Sequence, residues 1–186
     1  MHKLYETKNL RLKKVRGWKN KQRGAVRLSP ADNLSPPPPS VIVRPMVLED
    51  ILELAELYRQ FFNQSSHVPK MTEILERLLT RDDYIFLSAA CGDKLVGTVM
   101  GIVCEHLYGN CAPFLVLQNF IVDQEHHRKG VGSLLLAEME SRAKEKGCLC
   151  CDLVSTTYRV GACRFYRDRG FDGIYEGTVG FRKLLR

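Results

Sequence analysis

The chain has 186 residues, 45% of them apolar, and a formal net charge of +7, which suits one globular domain with an appendage. A core of roughly 140–150 residues buries about 68–70% of its unfolded surface, so no disulfide or metal is needed as a staple. Apolar runs such as 113–117 and 134–137 fall far short of the ~20 residues that span a bilayer. No apolar signal stretch follows the start, so a cytoplasmic protein without a membrane partner is expected.

The charge is unevenly placed. Residues 1–40 hold ten Lys or Arg against Glu6 and Asp32, a balance of +8, which leaves the rest of the chain at −1. Net charge therefore argues against nucleic acid as a partner of the domain itself and confines any such affinity to the basic tail. Seven cysteines, an odd number and mostly among apolar neighbours, point to a reducing compartment with free, mostly buried thiols. Cys148-Leu149-Cys150 lacks the spacing of a metal site, and no His-x-x-x-His answers it, so no metal is expected.

In chain order, residues 1–40 show no sustained amphipathic period and end in a run of four prolines, Pro36 to Pro39. Such a run forms a stiff spacer, and the domain boundary is placed there, giving an extension over 1–40 and a domain over 41–186. Alternation from Val41 to Arg44 reads as a strand. Ile51, Leu54, Ala55, Tyr58, Phe61 and Phe62 recur at helical spacing, with Glu49 and Asp50 in the first turn, where the helix dipole favours acids. Thr72 is the expected cap of a second helix running to Leu79. Residues 84–91 and 95–104 read as strands joined by a turn at Gly92-Asp93-Lys94, and 114–122 as a fourth strand. A strong helix is expected over 130–146, with Val131, Leu135, Met139 and Ala143 on one face and Gly147 ending it. A strand over 149–155, a short helix over 160–169 closed by Gly170, and a closing hairpin of 171–174 with 179–185 complete the order β-α-α-β-β-β-α-β-α-β-β.

The most informative stretch is the polar turn between the fourth strand and the long helix. Glycines let backbone approach a ligand and take positive φ. Free N–H groups at a helix start make an anion site, and Arg128 and Lys129 add positive charge beside it. A Walker A loop is excluded because Lys129 precedes Gly130 and Ser133 follows Gly132; a Rossmann fingerprint is excluded because Leu135 stands where a third glycine belongs. An ordinary turn with glycines for close packing remains the plain alternative.

The segment His127-Arg128-Lys129-Gly130-Val131-Gly132 resembles the motif Gln/Arg-x-x-Gly-x-Gly/Ala of the GNAT superfamily of acetyl-CoA-dependent N-acetyltransferases, with His127 in the Gln/Arg position. Downstream, Ala162, Phe165, Tyr166, Gly170 and Phe171 match the family pattern Ala-x-x-Leu/Phe-Tyr-x-x-x-Gly-Phe, and Arg159 stands where the family often has Asn. The resemblance covers roughly 41–186. It implies a mixed α/β GNAT fold: a central, mostly antiparallel sheet of six or seven strands with one splayed parallel pair, flanked by helices. It implies acetyl-CoA as cosubstrate, with its pantothenate arm along Phe120, Ile121 and Val122 and its pyrophosphate on the turn of His127, Arg128, Lys129, Gly130, Val131, Gly132 and Ser133. Arg159, Phe165 and Tyr166 complete the cofactor contacts.

By the same resemblance Tyr166 is the acid that returns a proton to the leaving thiolate, and a strand N–H near Phe120 or Ile121 stabilises the oxyanion. Cys163 as a nucleophile lacks a His/Asp relay. The general base is not legible: Gln118 and Asn119 do not ionise, Asp152, Glu105, His106, Glu125, His126 and His127 are candidates, and a water chain is the economical choice. Phe61, Phe62, His67 and Tyr108 are candidates to line the acceptor pocket. The C-terminal half is similar to bacterial members acting on small amines such as aminoalkylphosphonates, which implies a small-molecule amine as partner and allows a homodimer. Peptide or protein amines, another acyl-CoA donor, and a non-catalytic acetyl-CoA-binding module with a nucleic-acid-binding tail are the competing readings.

Overall fold

The computed structural model describes residues 41–172. The basic segment 1–40 and the closing hairpin lie outside the described residues, apart from Phe171 and Asp172, which belong to neither helix nor strand. Five strands form one sheet in chain order, β1 (Val41–Pro45), β2 (Tyr84–Cys91), β3 (Lys94–Cys104), β4 (Phe114–Val122) and β5 (Cys151–Leu153). The first four pair antiparallel, and β4 pairs β5 in parallel. The helices are α1 (Ile51–Phe62), α2 (Val68–Leu79), α3 (Val131–Glu145) and α4 (Val160–Arg167). A parallel neighbour needs a crossover, and α3 is the crossover here. This is the mixed sheet the motifs imply.

Successive strand side chains point to opposite faces, and β2 uses both. Leu87 and Ala89 join Val99, Leu115 and Leu117 under α3, whose Val131, Leu135, Met139 and Ala143 are all buried as the four-residue spacing predicts. Phe86 and Ser88 face the other way, toward the core that α1 and α2 build with Met46, Ile51, Leu54, Leu57 and Leu75. Each large apolar side chain so buried contributes about 1.5–3 kcal/mol.

Asp50 ties the second layer to the sheet. It lies in a short 3-10 turn (Leu48–Asp50) ahead of α1. Arg44 on β1 donates to both its oxygens at 2.8 and 2.6 Å, Ser88 on β2 donates at 2.8 Å, and the Val47 N–H at 3.1 Å. Burial pushes this carboxyl up, but these donors outweigh burial and hold it below the ordinary carboxylate value. The Leu95 N–H adds a second tie by donating to Glu53.

Three sequence expectations change. The second helix begins at Val68, where His67 Nδ1 accepts the Lys70 N–H at 3.2 Å, and Thr72 lies inside it, donating to the Val68 carbonyl at 3.1 Å. Pro69 suits a first turn, since its missing N–H would have no partner there. The fifth strand is three residues long rather than seven. The thiols are not mostly buried: Cys111 and Cys150 are exposed and the other five half-buried, because the segment bearing Cys148, Cys150 and Cys151 yields so little strand.

Asp50→Asn should lower stability by about 2–3 kcal/mol, since it removes the charge that three elements share. A depressed folded-state pKa contributes stability above the unfolded value, so the difference between wild type and variant should be full at pH 7 and shrink as pH falls below ~3.9. Urea midpoints at pH 7 and pH 3 check both.

Candidate active site

The site begins with an irregularity in β4. Thr98 pairs with Ile121 and Met100 with Gln118, so Asn119 and Phe120 together oppose Val99 alone. Such a bulge bends its strand. Asn119 takes φ 50°, which Asn tolerates better than other side chains, and its side chain lies near the Tyr58 phenol of α1. Burial pushes that phenol up to about 12, partly offset by Asn119. β4 pairs β5 only from Leu115–Cys151 to Leu117–Leu153, and past the bulge the two strands part. A cleft of about 160 Å³ opens there, lined by Phe61, Phe62, Gln118, Asn119, Phe120, Ser155, Arg159 and Tyr166.

At the far end of β4 the chain makes its polar turn. Asp123 is buried and accepts from the Glu125 N–H at 3.0 Å and from Lys94 at 3.0 Å; burial pushes it up, and Lys94 with the Glu125 N–H holds it below the ordinary value. His127 Nε2 lies 2.8 Å from the Val122 carbonyl, so one ring nitrogen anchors the turn to the strand. Arg128 at φ 60° and Gly130 at φ 81° are both left-handed. The Leu134 N–H reaches the Gly130 carbonyl at 3.1 Å, so the N–H groups of Val131, Gly132 and Ser133 have no intrahelical partner. No side chain caps them, and Arg128 and Lys129 stand exposed beside them.

The two glycines have different reasons. Gly130 supplies a left-handed N-cap. Gly132 supplies space: a Cβ there would lie 3.3 Å from two atoms of the Phe165 ring. Arg169 reinforces this contact between α3 and α4 by stacking 3.8 Å over Phe165 and donating to Ser133 Oγ. The hydroxyl of Ser133 is thus engaged, and its backbone N–H is what it offers the turn.

Docking of α4 brings Tyr166 to the cleft. Its ring meets Phe120 at 6.1 Å, Phe165 at 5.3 Å and Phe171 at 5.6 Å. Burial pushes its phenol above the ordinary tyrosine value, and the positive charge of Arg159 partly offsets this. The proton therefore stays on oxygen at neutral pH.

Phe120 and Ile121 border the cleft while Val122 lies at the turn. Among the other candidates, Gln118, Asn119, Phe61 and Phe62 border the cleft. Asp152 and Cys163 line a separate hollow of about 450 Å³ that Tyr166 also borders. The Cys163 thiol approaches the Thr156 carbonyl at 3.6 Å. Glu125 faces Lys94 at 3.6 Å, and His126 Nδ1 lies 3.9 Å from Asp123 without a hydrogen bond. His106 stacks between Tyr108 and Phe114, and His67 is a helix cap. Among the described residues, no carboxylate or histidine lines the cleft. Sequence reasoning missed the nearness of Asn119 to Tyr58, the Arg169–Ser133 bond and the seat of Arg159 over Phe61 at 4.6 Å. The one available signal was an Asn inside an apolar strand, a residue type that favours bulges over flat ladder.

The acetyltransferase (GNAT) family model matches residues 51–171, from the start of α1 to the end of the α4 motif. The chain belongs to the GNAT acetyltransferase family. Similar solved structures include a transcriptional regulator from Bacillus halodurans C-125, 19% identical over 76% of this chain and 99% of that one, with TM-score 0.69. An aminoglycoside acetyltransferase from an uncultured soil metagenomic sample is 21% identical over 79% and 97%, with TM-score 0.66. Glucosamine-6-phosphate N-acetyltransferase from Arabidopsis thaliana is 16% identical over 77% and 99%, with TM-score 0.66. At these identities the likeness is one of fold. No curated protein matches the sequence.

In this GNAT domain, Gly132→Val should push Phe165 off α3 and cost about 1–3 kcal/mol, as overpacking does. Gly132→Ala, whose single methyl needs the ring to give only slightly, should cost much less. Thermal unfolding of the two variants checks the order.

Proposed function

We propose that this domain transfers an acetyl group from acetyl-CoA to the primary amine of a small molecule by direct attack in a ternary complex. The observation that carries the proposal is the parting of β4 and β5 beside an uncapped helix start. One edge offers strand backbone to an amide-bearing arm, and the turn at its end offers N–H groups and two cations to a pyrophosphate. A cofactor held at both points would have its thioester oriented at the bulge. The cosubstrate supplies an activated acyl group and a thiolate leaving group.

The roles of the chain's own residues follow. Backbone N–H groups of Val131, Gly132 and Ser133, with Arg128 and Lys129, would hold the pyrophosphate, and the His127 ring would hold the turn. Backbone near Phe120 and Ile121 would receive the charge that develops on the thioester oxygen. Tyr166 would donate its proton to the departing sulfur. Its raised pKa keeps it an acid at neutral pH. With no ionisable base lining the cleft, water beside Gln118, Asn119 and Ser155 would carry away the amine proton.

The small size of the cleft supports a small acceptor over a peptide, as does the fact that two structural neighbours are named for aminoglycoside and glucosamine-6-phosphate acetylation. A panel of small amines with acetyl-CoA, scored by thiol release, tests the reading. CoA binding with no turnover of any amine or peptide would instead favour the non-catalytic module.

Tyr166→Phe should leave acetyl-CoA affinity within a few-fold and lower kcat by about 10²–10⁴, the usual worth of a positioned acid. The acid is active when protonated and its pKa is raised, so the alkaline fall of kcat should lie above pH ~10 and vanish in the variant. Unchanged kcat where the chemical step is limiting would remove Tyr166 as the acid. Gly130→Val should show the opposite pattern. A β-branched residue resists φ 81°, so CoA affinity measured by calorimetry should fall first.

A further inference from the structure

Arg159 is the one charged residue lining the cleft among the described residues. It sits at the N-cap of α4, half-buried, with its guanidinium 4.6 Å over the Phe61 ring. Phe61 belongs to α1, in the layer opposite α3, whereas α4 packs on the α3 side through Phe165 and Gly132. Arg159 therefore reaches from the α3 side to the α1 side of the sheet beside the parting of β4 and β5. No described acid pairs with it, and its field is felt at Tyr166.

We propose that Arg159 recognises an anionic group on the acceptor, so that the preferred substrates are small amines that also carry a carboxylate or a phosphate. The inference rests on the acetyl-transfer reading for the cleft's use and extends it to the acceptor's chemistry. A guanidinium seated over an aromatic face still has N–H groups to offer a bidentate anion. Gln118, Asn119 and Ser155 line the same cleft and supply neutral hydrogen bonds. A polycationic acceptor would meet an uncompensated positive charge with no lining carboxylate to receive its ammonium groups. On this proposal Arg159, which the family resemblance made a cofactor contact, serves the acceptor instead.

The test is calorimetry on the full chain saturated with CoA, a pairing in which no turnover occurs. β-Alanine and O-phosphoethanolamine are compared with their uncharged-tail counterparts β-alaninamide and ethanolamine, on wild type, Arg159→Gln and Arg159→Lys. Wild type should bind the anionic members about 10–100-fold more tightly, the range a charge-assisted hydrogen bond carries. Arg159→Gln should reduce that preference to within about 3-fold while CoA affinity stays within a few-fold, and Arg159→Lys should retain part of it. Equal or weaker binding of the anionic members by wild type overturns the proposal. So does an Arg159→Gln variant that loses CoA affinity tenfold or more and keeps the acceptor preference. Because binding is read without turnover, absence of thiol release would count against the acetyl-transfer reading alone.

Discussion

A strand that must leave its neighbour halfway along is costly, and the cleft exists only because β4 does so. Asn119 at φ 50° interrupts the β3–β4 ladder. A left-handed non-glycine residue costs roughly 1–2 kcal/mol. The side chain of Asn119 lies against the half-buried Tyr58 phenol, whose pKa it draws down. Tyr58 rides on α1, so the seating of α1 decides where the bulge is held. That seating depends in turn on Asp50, clasped by Arg44 and Ser88, and on Glu53 bound to the Leu95 N–H. The route from Arg44 to the cleft is thus a short series of polar bonds laid over an apolar layer.

The other wall is held by different means. α4 is short, and none of its residues is buried outright. It is fixed by one close approach, Phe165 on Gly132, and by Arg169, which stacks on Phe165 while holding Ser133. These residues lie within the first turn of α3. The helix start proposed to receive a pyrophosphate is therefore the same piece of chain that positions the helix bearing Tyr166. On the proposed reading, occupancy of the turn and placement of Tyr166 would be joined through the contact of Gly132 with Phe165.

Much of this was legible in the sequence where the signal was local. The spacing of Val131, Leu135, Met139 and Ala143 gave the buried face of α3 directly, because a helix repeats every 3.6 residues whatever surrounds it. The glycine turn and the Ala162–Phe171 pattern are local too, but their bearing on a site came from likeness to the family's motifs and not from periodicity. What stayed hidden depends on partners distant in sequence. Asn119 reads as an ordinary polar strand residue until Tyr58, 61 positions earlier, is seen to receive it. The strand expected over 149–155 keeps only three residues of pairing, since its partner turns away at a bulge that no periodicity announces. Thr72 and His67 compete as caps on propensity alone, and Pro69 decides between them.

The missing base is a consequence of the same layout. An alkyl amine enters largely as ammonium at neutral pH, and a side-chain or water-borne base must take its proton before attack. Here the described lining offers amides, one hydroxyl, one phenol and one guanidinium. Among the described residues no carboxylate lines the cleft to hold an ammonium in its charged form. The proton then needs a path to solvent rather than a dedicated acceptor, and an open cleft at the sheet edge supplies one. On the proposed reading Tyr166, whose phenol burial pushes above the ordinary tyrosine value, would hold its proton until a thiolate forms beside it.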